Sequence, residues 1–236
     1  MRDFQQYITE GGYDPNIFKA FFLAGGPGSG KTFVTASAFA GTGLKVVNSD
    51  NVFERGLRKA NLSLKMPDEE EYFRNLIRDR AKLTTGSILD TYVQGRLGLV
   101  IDATGRDYSL IQRQYAMLKN LGYDCYMVFV NTSLDVAIQR NLTRSRSIPE
   151  YIVTKSWQGV QSNMGAFQRM FSPNKMLIID NNRDDKELVT QTLNTASRFI
   201  RSRLRTKPEN SIAMSWIKKE LELKRRWDLK ITYLNI

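Results

Sequence analysis

Short, nearly unbroken apolar runs alternate with longer amphipathic stretches along this chain. The runs are Phe18–Ala24, Leu44–Asn48, Leu97–Asp102, Cys125–Asn131 and Met176–Asp180. Continuous apolar runs predict strands buried on both faces, because a half-wet strand would alternate apolar and polar positions. Between them the spacing predicts helices over Lys31–Ala40, Glu69–Gly95 (broken near Thr84–Gly86), Ser109–Asn120, Ser133–Leu142, Pro149–Phe171 and Asp185–Arg205. Strands alternating with such helices predict an α/β fold, a parallel sheet with crossover helices. Ser133 and Asp185 are candidate helix caps, with Asp135 in the first turn after Ser133. Gly122 stands where a helix ends in a left-handed residue. Thr206–Asn210 reads as a linker, and Ala213–Lys230, with Trp216 and Trp227, as an appended helix.

A length of 236 residues suits one α/β domain with extensions. The expected division is an N-terminal segment 1–12, a body 13–205 and a basic helical extension 206–236. No apolar run approaches the roughly 20 residues needed to span a bilayer, and Met1 to Glu10 lacks the apolar centre of a signal peptide. No membrane partner and a cytoplasmic location are expected. The oligomeric state is left open.

The single Cys125 excludes an internal disulfide framework, and its apolar neighbours predict a buried strand residue over a reactive thiol. There is no histidine. That removes His-based acid–base catalysis and, with one cysteine, argues against a zinc site. Chemistry therefore falls to carboxylates, Lys, Arg and a bound cation. The net charge is +11, and Arg201–Ile236 alone holds ten Lys/Arg against four Asp/Glu. This end is either a solvated basic helix or a contact for nucleic acid.

The residues that carry chemistry begin at Gly25-Gly26-Pro27-Gly28-Ser29-Gly30-Lys31-Thr32, a full phosphate-loop pattern between a strand and a helix. Its glycines let successive backbone N–H groups turn inward at a helix N-terminus and cradle an anion. Lys31 then reaches the β- and γ-phosphates, and the Thr32 hydroxyl ligates Mg²⁺. ATP and Mg²⁺ are the expected cofactors. Asp102, ending Leu99-Val100-Ile101-Asp102, suits either the Mg²⁺ shell, a substrate hydroxyl, or an ordinary turn start. The turn Ala103-Thr104-Gly105-Arg106 would set Arg106 over an anionic acceptor. Asp50 follows the second strand and would face the same crevice, where a carboxylate aligns an attacking hydroxyl; capping a helix from Asn51 is its rival role. Arg140, Arg144 and Arg146 crowd one short stretch. If the helix continues, Arg140 and Arg144 repel as i,i+4 neighbours, which a bound triphosphate would relieve. A solvated basic helix end is the other reading.

With these residues the chain resembles the nucleotide- and polynucleotide-kinase branch of P-loop proteins, and more narrowly the zeta-toxin-like kinases common in tailed phages. The resemblance spans about Phe18 to Arg205. It implies a three-layer P-loop NTPase fold with a five-stranded parallel sheet in the order 2-3-1-4-5. Asn48-Ser49-Asp50 resembles the segment whose acid activates the acceptor, and Asp102–Arg106 the segment touching substrate and metal. Arg140–Arg146 resembles an arginine-bearing lid that closes on ATP, Arg140 matching a position that packs on adenine; the charge of Arg144 near the γ-phosphate would serve transfer. The family's sugar-nucleotide contacts find no match here, so toxin activity is not implied. Met1–Gly11 resembles a capsid-targeting peptide of phage head proteins, cut after Ile8-Thr9-Glu10; Phe4, Tyr7 and Ile8 equally suit an ordinary amphipathic helix. Packaging in the virion would follow from the first of these. The implied activity is ATP-dependent transfer of the γ-phosphate to a hydroxyl of a nucleotide, polynucleotide or sugar nucleotide. The alternative is a P-loop ATPase, nucleic-acid-associated or packaged, without kinase activity.

Overall fold

The computed structural model describes residues 16–144, 147–182 and 186–234. Its strands are β1 (Lys19–Ala24), β2 (Lys45–Val47), β3 (Leu99–Asp102), β4 (Asp124–Asn131) and β5 (Met176–Asp180). The helices are α1 (Lys31–Ala38), α2 (Ser49–Lys59), α3 (Glu71–Gln94), α4 (Tyr108–Asn120), α5 (Leu134–Leu142), α6 (Glu150–Phe171), α7 (Lys186–Leu204) and α8 (Ser211–Leu234). The segment 1–12 with Phe4, Tyr7 and Ile8, as well as Arg146 and Asp185, lies outside the described residues, as does the side chain of Trp227.

All five strands are parallel in the order β2-β3-β1-β4-β5. The period-2 geometry of a strand splits each apolar run between two faces. Ala20, Phe22 and Ala24 of β1 join Ile101 and Met127 beneath α3, α4 and α6, which contribute Leu89, Ile111 and Phe167. Phe21 and Leu23 turn the other way, onto Val34 of α1 and Ala196 and Ile200 of α7. The result is the expected three-layer α/β architecture. Cys125 is buried in the first of these layers, and desolvation pushes its thiol up to about 12, as befits an inert strand residue. No described helix is long and apolar enough to cross a membrane.

Two expectations need correction. The α3 helix runs unbroken through Thr84–Gly86, because Thr84, Thr85 and Ser87 turn their hydroxyls back onto the carbonyls of Arg80, Ala81 and Leu83. The helix after β2 starts at Ser49, with Asn48 as its cap, and Phe53 and Leu57 one turn apart pack on Ala81 of α3. Between α7 and α8 the segment 206–210 has no regular structure, as expected of a linker, and it is tied to the sheet. Asp124 Oδ2 takes the Glu209 N–H at 2.9 Å, and Lys19 Nζ donates to the Lys207 carbonyl.

That fastening rests on a buried ion pair. Lys19 and Asp124 are register partners on β1 and β4, and their charges meet at 3.0 Å with no solvent exposure of the Lys19 side chain. Removing one partner of such a pair costs about 3–5 kcal/mol, since the other charge stays buried. Beyond it Trp216 of α8 packs edge-on against Phe18 at 5.4 Å, and Ala213 joins the core. The start of the basic extension thus sits at the N-terminal edge of the sheet, opposite the phosphate loop.

Candidate active site

The phosphate loop joins β1 to α1 at the C-terminal edge of the sheet, where open parallel sheets bind ligands. Gly30 caps α1 in the left-handed region (φ +88°) with no side-chain hydrogen bond, so the N–H groups of the first turn face the loop. Gly28 (φ +78°) is pressed onto the backbone of Ala137 in α5, leaving no room for a side chain. Gly26 meets Trp157 of α6, whose indole donates to the Thr132 carbonyl at 2.7 Å. From β5's end, Asn181 donates to the Ser29 carbonyl at 2.7 Å. The loop is therefore braced from three elements distant in sequence. Ser29 Oγ is buried without a partner, an orphan donor suited to an anion in the cradle.

Lys31 folds back so that Nζ donates to the Gly25 carbonyl at 2.7 Å. Burial holds its ammonium below the ordinary lysine value, Asp102 and Asp50 pull it back up, and Arg144 pushes it down. Burial likewise raises Asp102 above the usual carboxylate range, opposed by Lys31 and by a 2.6 Å hydrogen bond from Asn48, while Asp50 adds to the rise. Lys31 of α1 thus feels Asp102 of β3, Asp50 of α2 and Arg144 of the segment after α5, and Asp102 feels Lys31 and Asp50.

Other details differ from expectation. Asp50 is no cap. It rides in the first turn of α2, and Asn48 Oδ1 accepts its backbone N–H at 2.7 Å. Its carboxylate lies 3.8 Å from Arg78 of α3, whose guanidinium covers the Phe53 ring at 3.9 Å. Arg140 and Arg144 do not share a helix: α5 stops at Leu142, and Arg140 donates to the Asn181 carbonyl at 2.8 Å. The stop has a physical cause in Asn141, a buried amide that donates to the Ile148 carbonyl (2.7 Å) and accepts its N–H (3.1 Å). Arg106 emerges exposed from the turn after β3, where Gly105 takes φ +83° against Ala24.

A Mg²⁺ site at Thr32 and Asp102 fits in kind. Thr32 is exposed, its hydroxyl makes no hydrogen bond among the described residues, and Asp102, whose charge acts on the adjoining Lys31, offers a carboxylate; both are hard oxygen donors. No cluster of three or more His, Cys, Asp or Glu suited to a metal occurs among the described residues, so this pair would act with phosphate oxygens and water.

A phosphate loop bracketed by β1 and α1 in a 2-3-1-4-5 sheet is matched by the model of one protein family, the AAA domain, over residues 21–167. The chain belongs to the AAA domain family. Solved structures share the fold of this AAA domain protein. A candidate kinase from Chloroflexus aurantiacus aligns with a TM-score of 0.55 at 16% identity, covering 79% of this chain and 98% of that one. AvrRxo1-ORF1:-ORF2 with ATP aligns with a TM-score of 0.54 at 11% identity, covering 92% and 87%. The PezAT toxin–antitoxin system of Streptococcus pneumoniae aligns with a TM-score of 0.49 at 16% identity, covering 80% and 88%. At these identities the first two likenesses establish the P-loop kinase fold of this AAA domain protein. No curated protein matches it.

Proposed function

We propose that this AAA domain protein is an ATP-dependent kinase that transfers the γ-phosphate to a hydroxyl of a nucleotide, polynucleotide or sugar-nucleotide acceptor. The observation that carries the reading is the pair of acids joined by Asn48, which donates to Asp102 at 2.6 Å and caps the helix that carries Asp50, with Lys31 drawn onto the phosphate-loop carbonyl of Gly25 at 2.7 Å. An ATPase needs a cradle and a positioned water. Acids on the acceptor side together with an arginine from the opposite segment suit transfer to a second substrate.

In this reading the N–H groups of the loop and Lys31 hold the phosphates, and Thr32 and Asp102 would hold Mg²⁺, which would shield charge on the transferred group. Asp50 accepts the acceptor's hydroxyl proton as the oxygen bonds to the γ-phosphorus and the bond to the leaving ADP breaks. Arg144 stabilises the charge that moves between oxygens, and Arg140 braces the nucleotide side. The resemblance to zeta-toxin-like kinases supports ATP as donor, as does the ATP with which the AvrRxo1-ORF1:-ORF2 neighbour was solved. ATP turnover with and without pooled hydroxyl acceptors tests the class: a kinase is acceptor-dependent, an ATPase is not.

A further inference from the structure

The turn that carries Arg106 is held by one face of α6. Asn163 Nδ2 donates to the Gly105 carbonyl at 3.0 Å and to the Arg106 carbonyl at 2.9 Å. One turn earlier Gly159 leaves a notch, and a Cβ there would stand 2.7 Å from Arg106 Cγ. On its other side the turn is tied to the phosphate loop, since the Thr104 carbonyl accepts the Gly25 N–H at 3.0 Å. Glycine inside a helix weakens it relative to alanine, and α6 bears that weakness where the Arg106 stem crosses. The Arg106 guanidinium is exposed and, among the described residues, makes no hydrogen bond or ion pair. A guanidinium with a fixed root, a free fork and a place four residues beyond Asp102 is built to receive a planar anion.

We propose that Asn163 and Gly159 are positioning residues that hold Arg106 as the anchor for an anionic group, phosphate or carboxylate, on the acceptor. This rests on the kinase reading, whose acceptors all carry phosphate, and adds how that charge is held in place: with the anchor fixed, the corresponding neutral nucleosides and sugars are poor substrates. Because α6 also touches Gly26 through Trp157 and donates from Gln161 to Asn131, the anchor keeps a fixed place relative to the phosphate loop. Misplacing it by an ångström costs transfer through lost alignment.

The test uses the full chain with its phosphate loop filled by a non-hydrolysable ATP analogue and Mg²⁺. Inorganic phosphate is titrated in at constant ionic strength, and the backbone amide resonances of residues 104–107 are followed. The wild type should show saturable shifts, and Arg106→Ala none. Asn163→Ala and Gly159→Ala should each weaken phosphate binding about tenfold, as loss of an orienting partner does, with analogue affinity within about twofold. Denaturant melts should show both variants folded, since the atoms nearest the added Gly159→Ala methyl all belong to the Arg106 side chain; a merely structural role predicts that analogue affinity falls together with phosphate binding. Wild-type phosphate affinity in Arg106→Ala, or in both Asn163→Ala and Gly159→Ala, overturns the proposal, as does a wild type without saturable shifts. Acceptor-dependent turnover of the wild type is measured separately, so failure of the kinase reading and failure of the anchor are told apart.

Discussion

The side-chain amide of Asn48 donates to Asp102 Oδ2 across 2.6 Å, joining the cap of α2 to the tip of β3. Through its other atom, Oδ1, the same side chain accepts the Asp50 N–H. One asparagine therefore orients both acids of the site. Asn48→Ala should lose about 1 kcal/mol of stability as a removed helix cap and lower transfer about 10- to 100-fold as a removed orienting partner. Asn48→Asp preserves capping but sets a third carboxylate against Asp102, so it should keep most of the stability and still lose transfer. Denaturant melts and initial rates on both variants check this; equal rates in wild type and Asn48→Ala would refute it.

Asp50→Asn keeps shape and removes proton acceptance. Affinity for an ATP analogue should stay within about twofold while transfer falls about 10²-fold or more. Loss of analogue binding along with activity would instead assign Asp50 to the metal or to its contact with Arg78.

Asp102 offers a pH test. Its folded-state pKa lies above the ordinary 3.8 because burial disfavours the charge. On acidification it takes up its proton earlier than an ordinary carboxylate, so Mg²⁺-dependent analogue binding should begin to weaken at a pH above 3.8. Asp102→Asn should remove that pH dependence. Calorimetric titrations across the acid range decide, and an unchanged acid profile in Asp102→Asn would contradict the assignment.

The two arginines should divide their effects. Arg144 is exposed on the segment bounded by the Asn141–Ile148 clamp, and its charge reaches Lys31. Arg144→Ala should lower the transfer rate more than it weakens analogue binding, because the guanidinium matters most as charge shifts. Arg140→Ala should mainly weaken binding, since Arg140 is committed to the Asn181 carbonyl and Asn181 braces Ser29. Single-turnover rates beside binding constants separate the two; the reverse pattern would exchange their roles.

Much of this arrangement is legible in the residues. The phosphate loop, the positions of the five strands, and the acids just after β2 and at the tip of β3 follow from local pattern. Burial on both faces, however, holds only for the central β3, β1 and β4; at the sheet edges Val46 of β2 and Ile178 of β5 are exposed, because an edge strand has a neighbour on one side alone. The unreadable parts are contacts between distant positions. Lys19 interrupts an apolar run and looks like a surface lysine until its partner appears 105 residues on. Asn181, Trp157 and Asn163 brace the site from β5 and α6, and nothing in their neighbours marks them out. The run Thr84–Gly86 reads as a break because its hydroxyls have two uses, and only packing decides between them. Asn48 is the missed clue with a local signal: an Asn before Ser-Asp-Asn at a strand end is a helix start.

The most direct measurement is transfer of labelled γ-phosphate from ATP across a panel of 5′-hydroxyl DNA and RNA, nucleosides, nucleotides and UDP-sugars, with folded Lys31→Ala as control. The account predicts labelled product with an anion-bearing member of the panel and a rate at least about 10²-fold lower in Lys31→Ala, the loss of one preorganised electrostatic donor. Acceptor-independent ATP hydrolysis with no labelled acceptor, or wild-type turnover in folded Lys31→Ala, would contradict it.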